Sequence, residues 1–508
     1  AMHDGRIKAV WVACTNPAHS MPDANKIRDA FNTAEFVVVQ EAFVQTDTVP
    51  YADVLLPASS WGEKSGTVTN SERRISRVRQ AVPAPGDAKP DWWIVNEVAR
   101  RMQAKLGKTS PNLFAFEQPE DVFNEHRLLT EGRDLDIGGL SYDLIEHNGP
   151  QQWPFISSQG QARRYIDGSF ATTDGRARFH APNYLPVAEP TSARFPFHLL
   201  TGRLRDQWHG MSRSGRAASA FAHAPEPSLT MHPSDAERRG LKAGDFVAIA
   251  SRRTHLVLPL QVSDEVQSGT VFAAMHWNGQ YMNCGGINEA CSDAVDPKSF
   301  QPELKHAAVR IEKTALPWRM LAARRGDVLA LQARVQPLLK DCSYAAIGVE
   351  QNLMIVRAAH TSAPHEWLEH LQEALDLPVG SDTLEYRDAR RGIAKRATWE
   401  DGRLAGMMFA GDLSSADAVL DMLRAHEPWS GSRLTVFSNQ KSRTPVDRTI
   451  CNCKQVKASS IDAAIAQGSG FEQLKSQLGC GTVCGSCIPE LKQLCAMRNT
   501  ETNLGAGS

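Results

Sequence analysis

Four of the ten cysteines in this 508-residue chain fall in two tight pairs near its end. Cys451-Asn-Cys453 is followed, after thirty intervening residues, by Cys484-Gly-Ser-Cys487. Paired cysteines at short spacing bring thiolates together on neighbouring turns, which suits a metal site. Structural zinc sites usually place about two to four residues inside each pair, so Cys451-Asn-Cys453 fits zinc poorly. Sets of four cysteines also hold [2Fe–2S] clusters. A zinc knuckle and unrelated thiols remain as alternatives. Cys480 competes with Cys484 for a ligand position, and Cys495 reads as a packed thiol on a following helix.

The elements that must position these thiols are readable. Ser460 can cap a short helix over 461–467 that Gly468 stops. A second helix spans 471–478 and returns the chain to the glycine-rich loop Gly479-Cys480-Gly481-Thr482. Pro489 suits a helix start, with the helix running to about Met497. Its N-terminus would face the metal and favour the added negative charge of a reduced cluster.

The rest of the chain sets the frame. Its length suggests three or four domains. A net charge of -1 gives no electrostatic case for nucleic acid or an anionic membrane. No apolar run approaches the ~20 residues of a membrane span. Cysteines clustered as ligands point to a reducing, cytoplasmic compartment rather than a disulfide scaffold. The chain enters an apolar strand almost at once, so the N-terminal part of a longer protein is expected to be missing.

Residues 7–57 read as βαβ, with strands at 7–13, 36–40 and 52–57 and a helix over 22–31. In doubly wound sheets ligands lie beyond the strand C-terminal ends. Asn16 and Ser20 sit after the first strand, Gln40 and Glu41 after the second. No GxGxxG is present, so a nicotinamide fingerprint is absent. The stretch from Trp61 to Arg74 reads as a solvated loop. Asp91 opens a helix to about Leu106 and either caps it or faces a ligand. A hairpin turn and strand are expected over 173–179.

Residues 195–315 read as β-rich, with strands over 197–200, 246–251, 256–262 and 270–276 and a helix over 234–239. The loop from Thr201 to Gly215 offers guanidiniums, hydroxyls, an indole and an imidazole, a set suited to a diphosphate-bearing ligand. Cys284 and Cys291 read as ordinary thiols. Beyond residue 316 we expect helices over 317–339 and 366–375, strands over 396–399 and 404–409 across the Asp401-Gly402 turn, and a strand over 433–437.

Several phrases, in order, resemble the molybdopterin oxidoreductase family, and within it the large subunits of assimilatory nitrate reductases. They are Cys14-Thr-Asn-Pro17, Asp53-Val-Leu-Leu-Pro-Ala58, Trp61-Gly-Glu-Lys-Ser-Gly-Thr-Val-Thr-Asn-Ser-Glu-Arg-Arg74 and Lys89-Pro-Asp-Trp-Trp93. The resemblance implies that Asn16, Gln40, Glu41, Lys64 and Asp91 contact a guanine dinucleotide arm of a bis-molybdopterin cofactor. Thr201-Gly-Arg203 with Gln207-Trp-His209 is similar to the molybdopterin-dinucleotide-binding domain, a double-psi barrel. It implies contacts from Thr201, Gly202, Arg203, Gln207, Trp208, His209, Ser212, Trp277, Asn288 and Lys305. The last sixty residues resemble the bacterioferritin-associated-ferredoxin-like [2Fe–2S] domain, which implies Cys451, Cys453, Cys484 and Cys487 as ligands. Residues 386–412 are similar to the small interface domain of pyridine-nucleotide-dependent flavin reductases, which we read as a docking or spacer domain.

The expected fold is therefore multidomain α/β and β. It comprises a Rossmann-like α/β domain over 1–194, a double-psi β-barrel over 195–315, a small α+β domain over 316–445 and a small helical [2Fe–2S] domain over 446–508. The expected function is the C-terminal part of a molybdenum enzyme reducing nitrate to nitrite. Its cofactors would be bis-molybdopterin guanine dinucleotide and a [2Fe–2S] cluster, with a further iron–sulfur cluster in the missing N-terminal region. Electrons would come from a flavoprotein subunit, a ferredoxin or a flavodoxin. No catalytic residue is assigned, because the Mo ligand is expected before Ala1. Another member such as a formate dehydrogenase, and a non-catalytic electron-transfer and docking module, are the alternatives.

Overall fold

A computed structural model of the chain describes residues 1–108, 111–157, 159–438 and 447–504. Two units form, one from residues 1–15, 30–44 and 48–186, the other from residues 16–29, 45–47 and 187–508.

The first unit is built on a parallel three-stranded sheet, β1 (Ala9–Ala13), β2 (Phe36–Glu41) and β3 (Val54–Pro57), in the order β1-β2-β3. Between β1 and β2 the chain forms a short helix, α1 (Pro17–Ser20), and then α2 (Ala24–Thr33). Ala13 pairs with Gln40 and Gln40 with Leu56, so the polar end of the central strand lies at the carboxyl edge of all three. The stretch expected as a solvated loop is ordered: β4 (Gly66–Thr69) pairs antiparallel with β5 (Arg74–Val78), which pairs with β6 (Gln151–Gln152). Helices α3 (Asp91–Lys105), α4 (Pro119–Leu129) and α5 (Tyr142–Asn148) follow. The core of this part gathers Ile75, Phe123, Leu140, Ile145 and Phe155. No strand forms over 173–179, and Phe179 stands almost fully exposed, so nothing there repays pairing.

The second unit opens with a closed barrel of six strands, in the order β10-β8-β11-β7-β12-β9. These are β7 (Phe197–Gly202), β8 (Leu229–Met231), β9 (Phe246–Ala250), β10 (His255–Val262), β11 (Thr270–Ala274) and β12 (Ala307–Lys313), with helices α6 (Ala218–Phe221) and α7 (Pro233–Arg238) in the connections. Alternation fills its interior: Phe197 and Leu199 of β7 are buried while His198 and Leu200 point out. β7 and β11 run parallel, Thr201 beside Ala273 and Gly202 beside Ala274. Their following loops must therefore leave the same end of the barrel.

Next comes a six-stranded antiparallel sheet in the order β14-β15-β13-β18-β17-β16. Its strands are β13 (Trp318–Arg325), β14 (Tyr344–Glu350), β15 (Leu353–His360), β16 (Thr383–Asp388), β17 (Ile393–Glu400) and β18 (Arg403–Ala410), with α8 (Val328–Val335), α9 (His365–Ala374) and α10 (Ala416–Ala425). The helix expected over 317–339 is thus a strand followed by a shorter helix. β13 lies in the sheet interior, buried over most of both faces, so its sequence lacks the alternation that marks a half-exposed strand. Residues 433–437 form a 3-10 turn instead of a strand.

The boundary expected at 445/446 lies outside the described residues. Beyond it, β19 (Thr449–Cys451) pairs with β20 (Val456–Lys457), followed by α11 (Ala458–Ala466), α12 (Phe471–Leu478) and α13 (Ile488–Leu504). Helix α11 starts before Ser460, which is not its cap. Asp447 does that work, accepting bonds from the Ser459 amide (2.9 Å) and hydroxyl. Of the described helices, none is long and apolar enough to cross a membrane.

Candidate cofactor and cluster sites

In the first unit the carboxyl edge of the sheet concentrates polar groups. Gln40 is buried and donates to Asp91 Oδ1 at 2.7 Å, while Lys64 Nζ donates to Asp91 Oδ2. The cap of α3 is Pro90, with no side-chain cap bond, so Asp91 faces the cluster of polar groups and does not cap its helix. Burial alone would raise the Asp91 pKa, but the bonds from Lys64 and Gln40 outweigh it and hold the carboxyl below its ordinary range. Gln40 Oε1 is buried without a partner. Glu41 turns back on its own chain and accepts from the Ala42 and Phe43 amides at 2.8 and 3.2 Å. A hollow of about 390 Å³ beside Lys64 and Asp91 is also lined by Trp61, Thr67, His126 and Tyr142.

In the second unit, the two loops at one end of the barrel are tied by His276. Its Nε2 accepts from the Leu204 amide (2.8 Å), so Nδ1 carries the proton donated to the His209 carbonyl (2.7 Å). Burial pushes the His276 pKa down and keeps it neutral. Gln207 donates to Ala220 O (3.1 Å) and accepts from Ser214 (2.7 Å), which fixes the loop's path. Thr201 donates to Leu304 O at 2.7 Å. Trp208 is half exposed and meets His209 edge-on, with the Arg203 guanidinium beyond its ring. Burial and the nearby Arg203 and Arg213 lower the His209 pKa. The Ser212 carbonyl accepts from Arg216, and Lys305 is exposed.

Asn16 donates to Asp47 at 3.2 Å, and Asn288 donates to the His19 and Ser20 carbonyls at 3.1 and 3.2 Å. This exposes two residues that the sequence reading passed over. His19 is 2% exposed and neither ring nitrogen has a partner. It lies where a Cβ on Gly210 would come within 2.8 Å of its ring. The buried Trp277 Nε1 is likewise unpartnered. The signal for His19 was its place in the loop after β1, and for His276 its place beside Trp277. Buried polar atoms left without partners fit a polar ligand reaching them.

The terminal domain collects its thiols. Cys453 Sγ lies 3.2 Å from Cys484 Sγ, and Cys484 Sγ lies 3.0 Å from Ser486 Oγ. Hydrogen bonds from Ser486 bring the Cys484 pKa down to about 7. Burial and the adjoining Cys451 push Cys487 up to about 11 and raise Cys480 too. Among the described residues, no group of three or more His, Cys, Asp or Glu side chains is disposed around a single metal ion. Cys453 and Cys484 form one close pair at the surface, while Cys451 contacts both Cys487 and Cys480 in the core. Gly481 has φ +73°, and a Cβ there would meet Ile488 at 2.8 Å, so the loop between the cysteines needs glycine. Cys495 packs against the domain's small core, and burial raises its pKa. Burial holds Cys284 and Cys291 at about 12 and about 11, which makes both inert thiols.

Three family models match in the order of these regions: molybdopterin oxidoreductase over residues 1–101, molybdopterin dinucleotide binding domain over 197–308 and BFD-like [2Fe–2S] binding domain over 449–497. The chain therefore carries molybdopterin oxidoreductase and dinucleotide-binding domains joined to a BFD-like [2Fe–2S] domain. Among individual proteins it is 33% identical to a nitrate reductase from Klebsiella oxytoca, over 98% of this chain and 56% of that one. It is 30% identical to a nitrate reductase from Shewanella frigidimarina, again over 98% and 56%. The alpha subunit of a formate dehydrogenase from Methanocaldococcus jannaschii is 32% identical over 60% of this chain and 43% of its own length. The chain spans about half the length of the curated relatives it matches.

Proposed function

We propose that this chain is part of a molybdenum-dependent nitrate reductase, which converts nitrate to nitrite with two electrons and two protons, releasing water. The observation that carries this reading is the extent of likeness. The nitrate reductases of Klebsiella and Shewanella match over 98% of the chain, through the cluster domain, whereas the formate dehydrogenase match covers 60% of it. When bound, bis-molybdopterin guanine dinucleotide supplies the Mo centre for oxygen-atom transfer.

The chain's own residues would hold that cofactor. Lys64, Asp91 and Gln40 offer one polar set and Glu41 lies at the same strand end. Thr201, Gly202, Arg203, Gln207, Trp208, His209 and Ser212 line the barrel loop, with Asn16, Trp277, Asn288 and Lys305 around it. A cation beside an exposed indole suits a phosphate-bearing or purine ligand. Gly202 leaves its Cβ direction to Phe272, at 3.0 Å, so a side chain there would disturb the loop's root. Cys451, Cys453, Cys484 and Cys487 would ligate the [2Fe–2S] cluster, and a flavoprotein subunit, ferredoxin or flavodoxin would reduce it. The clustered thiols suit a reducing cytoplasm.

The test is nitrite formation from nitrate by the purified holoprotein with reduced viologen, alongside formate oxidation. Nitrite production with no formate oxidation is expected. Formate oxidation without nitrate reduction would assign the other activity.

A further inference from the structure

We propose that Arg205 positions the terminal cluster domain on the barrel and stabilises the reduced form of its cluster. This rests on the reading of residues 449–497 as a cluster-bearing domain. Arg205 lies in the loop after β7, between Arg203 and Gln207. Its Nη1 donates to the Ile450 carbonyl at 3.2 Å and to Glu490 Oε2 at 3.0 Å. Asp206 holds the other side of the same guanidinium, at 3.1 Å from Nε and 3.0 Å from Nη2. Ile450 immediately precedes Cys451, and Glu490 lies three residues after Cys487. One cation thus touches the chain beside both ends of the ligand set.

The surroundings make this contact matter. The Arg205, Asp206 and Glu490 side chains are only 14%, 13% and 20% exposed, so solvent screens them weakly. Arg448 also pairs with Glu490, and His223 borders the same space. Beside the clamp lies a cavity of about 1080 Å³, lined on the barrel side by Leu200 and Phe272 and on the α13 side by Gln493 and Leu494. Barrel wall and helix are therefore not packed together there, and polar contacts carry the junction. A further one joins Asn452 to the Ser219 carbonyl at 3.3 Å.

Reduction of a [2Fe–2S] cluster adds one electron and one negative charge, with no bond made or broken. A fixed guanidinium, which stays protonated in proteins, favours that state. Glu490, paired with the same guanidinium and three residues after Cys487, opposes it.

The experiment is a redox titration of the 508-residue chain with reconstituted cluster, poised with dithionite and mediators and read by EPR. Arg205→Gln is expected to lower the reduced-to-oxidised ratio at fixed potential about tenfold, ~59 mV for a one-electron couple, with iron and sulfide content unchanged. Arg205→Lys should recover part of the loss. Glu490→Gln should move the potential in the opposite direction. Unmoved potentials, or Arg205→Gln and Glu490→Gln moving the same way, would overturn the proposal. Should Arg205→Gln lose its cluster, the Lys and Glu490 variants decide by the same criteria. A wild-type chain that takes up no iron and sulfide would overturn the cluster reading itself, a failure distinct from an unmoved potential.

Discussion

Gln207, His276 and Asn288 in the barrel region have their polar side chains bonded to backbone atoms of the loops they shape. Behind them stands a core of fully buried side chains, including Leu199, Leu229, Met231, Val247, Ile249 and Val309. The cluster domain has a core of eight buried residues, three of them cysteine: Cys451, Cys480 and Cys487. Thus the barrel can set its binding loops before any ligand arrives. The cluster domain places two of its would-be ligands, Cys451 and Cys487, inside the core itself, while Cys453 and Cys484 are exposed, so its fold and its metal are linked through the buried two. A segment this short also buries too little apolar surface to be robust by itself.

The sharpest way to break this contrast is to remove the cluster. In the reconstituted chain, Cys487→Ser should lower hydrogen-exchange protection across residues 447–504 by about 100-fold or more, ~2.8 kcal/mol. Strands β7 to β12 should keep theirs. Equal loss in both regions would erase the distinction. Iron and sulfide analysis of the Cys480→Ser and Cys484→Ser variants sharpens it further, because the one that loses the cluster identifies the third ligand.

A middle-sized effect is expected where the cofactor would bind. In the holoprotein, Lys64→Ala and Arg203→Ala should each remove a charge-assisted contact of ~1.5–3 kcal/mol, roughly tenfold or more in affinity. Molybdenum and pterin content should fall together, while exchange protection of the barrel strands stays. Full cofactor content in both variants would show that these residues are not its anchors.

The smallest effect concerns Asp91. Its folded pKa is depressed, so the stability it contributes is present above the ordinary carboxylate range and is lost as pH falls through the folded value. Its side chain is about one-third exposed, so the contribution is ~1 kcal/mol or less. Asp91→Asn should narrow its melting difference from wild type as pH drops below the carboxylate range. A difference that grows with acidity would contradict the assignment.

Much of this organisation was legible in the sequence. Apolar runs marked β2 and four of the six barrel strands, β7, β9, β10 and β11, to within a few residues, but not β8 or β12; Gly244, Gly269 and Gly402, all at positive φ, marked turns. The ends of the cluster-domain helices were legible from Gly468, Gly479 and Pro489, but the start of α11 was not, because Asp447 rather than Ser460 caps it. Trp318–Arg325 was not, since a strand buried on both faces and carrying three arginines has the composition of a helix. At the sites, the strand end pointed to Gln40, the family resemblance implied Lys64, and Asp91 was read as either a helix cap or a ligand-facing residue; that Asp91 joins the other two was not legible. His19 and His276 escaped because their roles depend on contacts distant in sequence, at Gly210, Leu204 and His209.

The most direct test of the whole account follows the electrons. The holoprotein is reduced, excess reductant is removed, and nitrate is added while the [2Fe–2S] EPR signal is recorded. Loss of the reduced-cluster signal, with one nitrite formed for every two electrons withdrawn, is the predicted result. A cluster that stays reduced in the presence of nitrate, in protein with full molybdenum and pterin content, would contradict it.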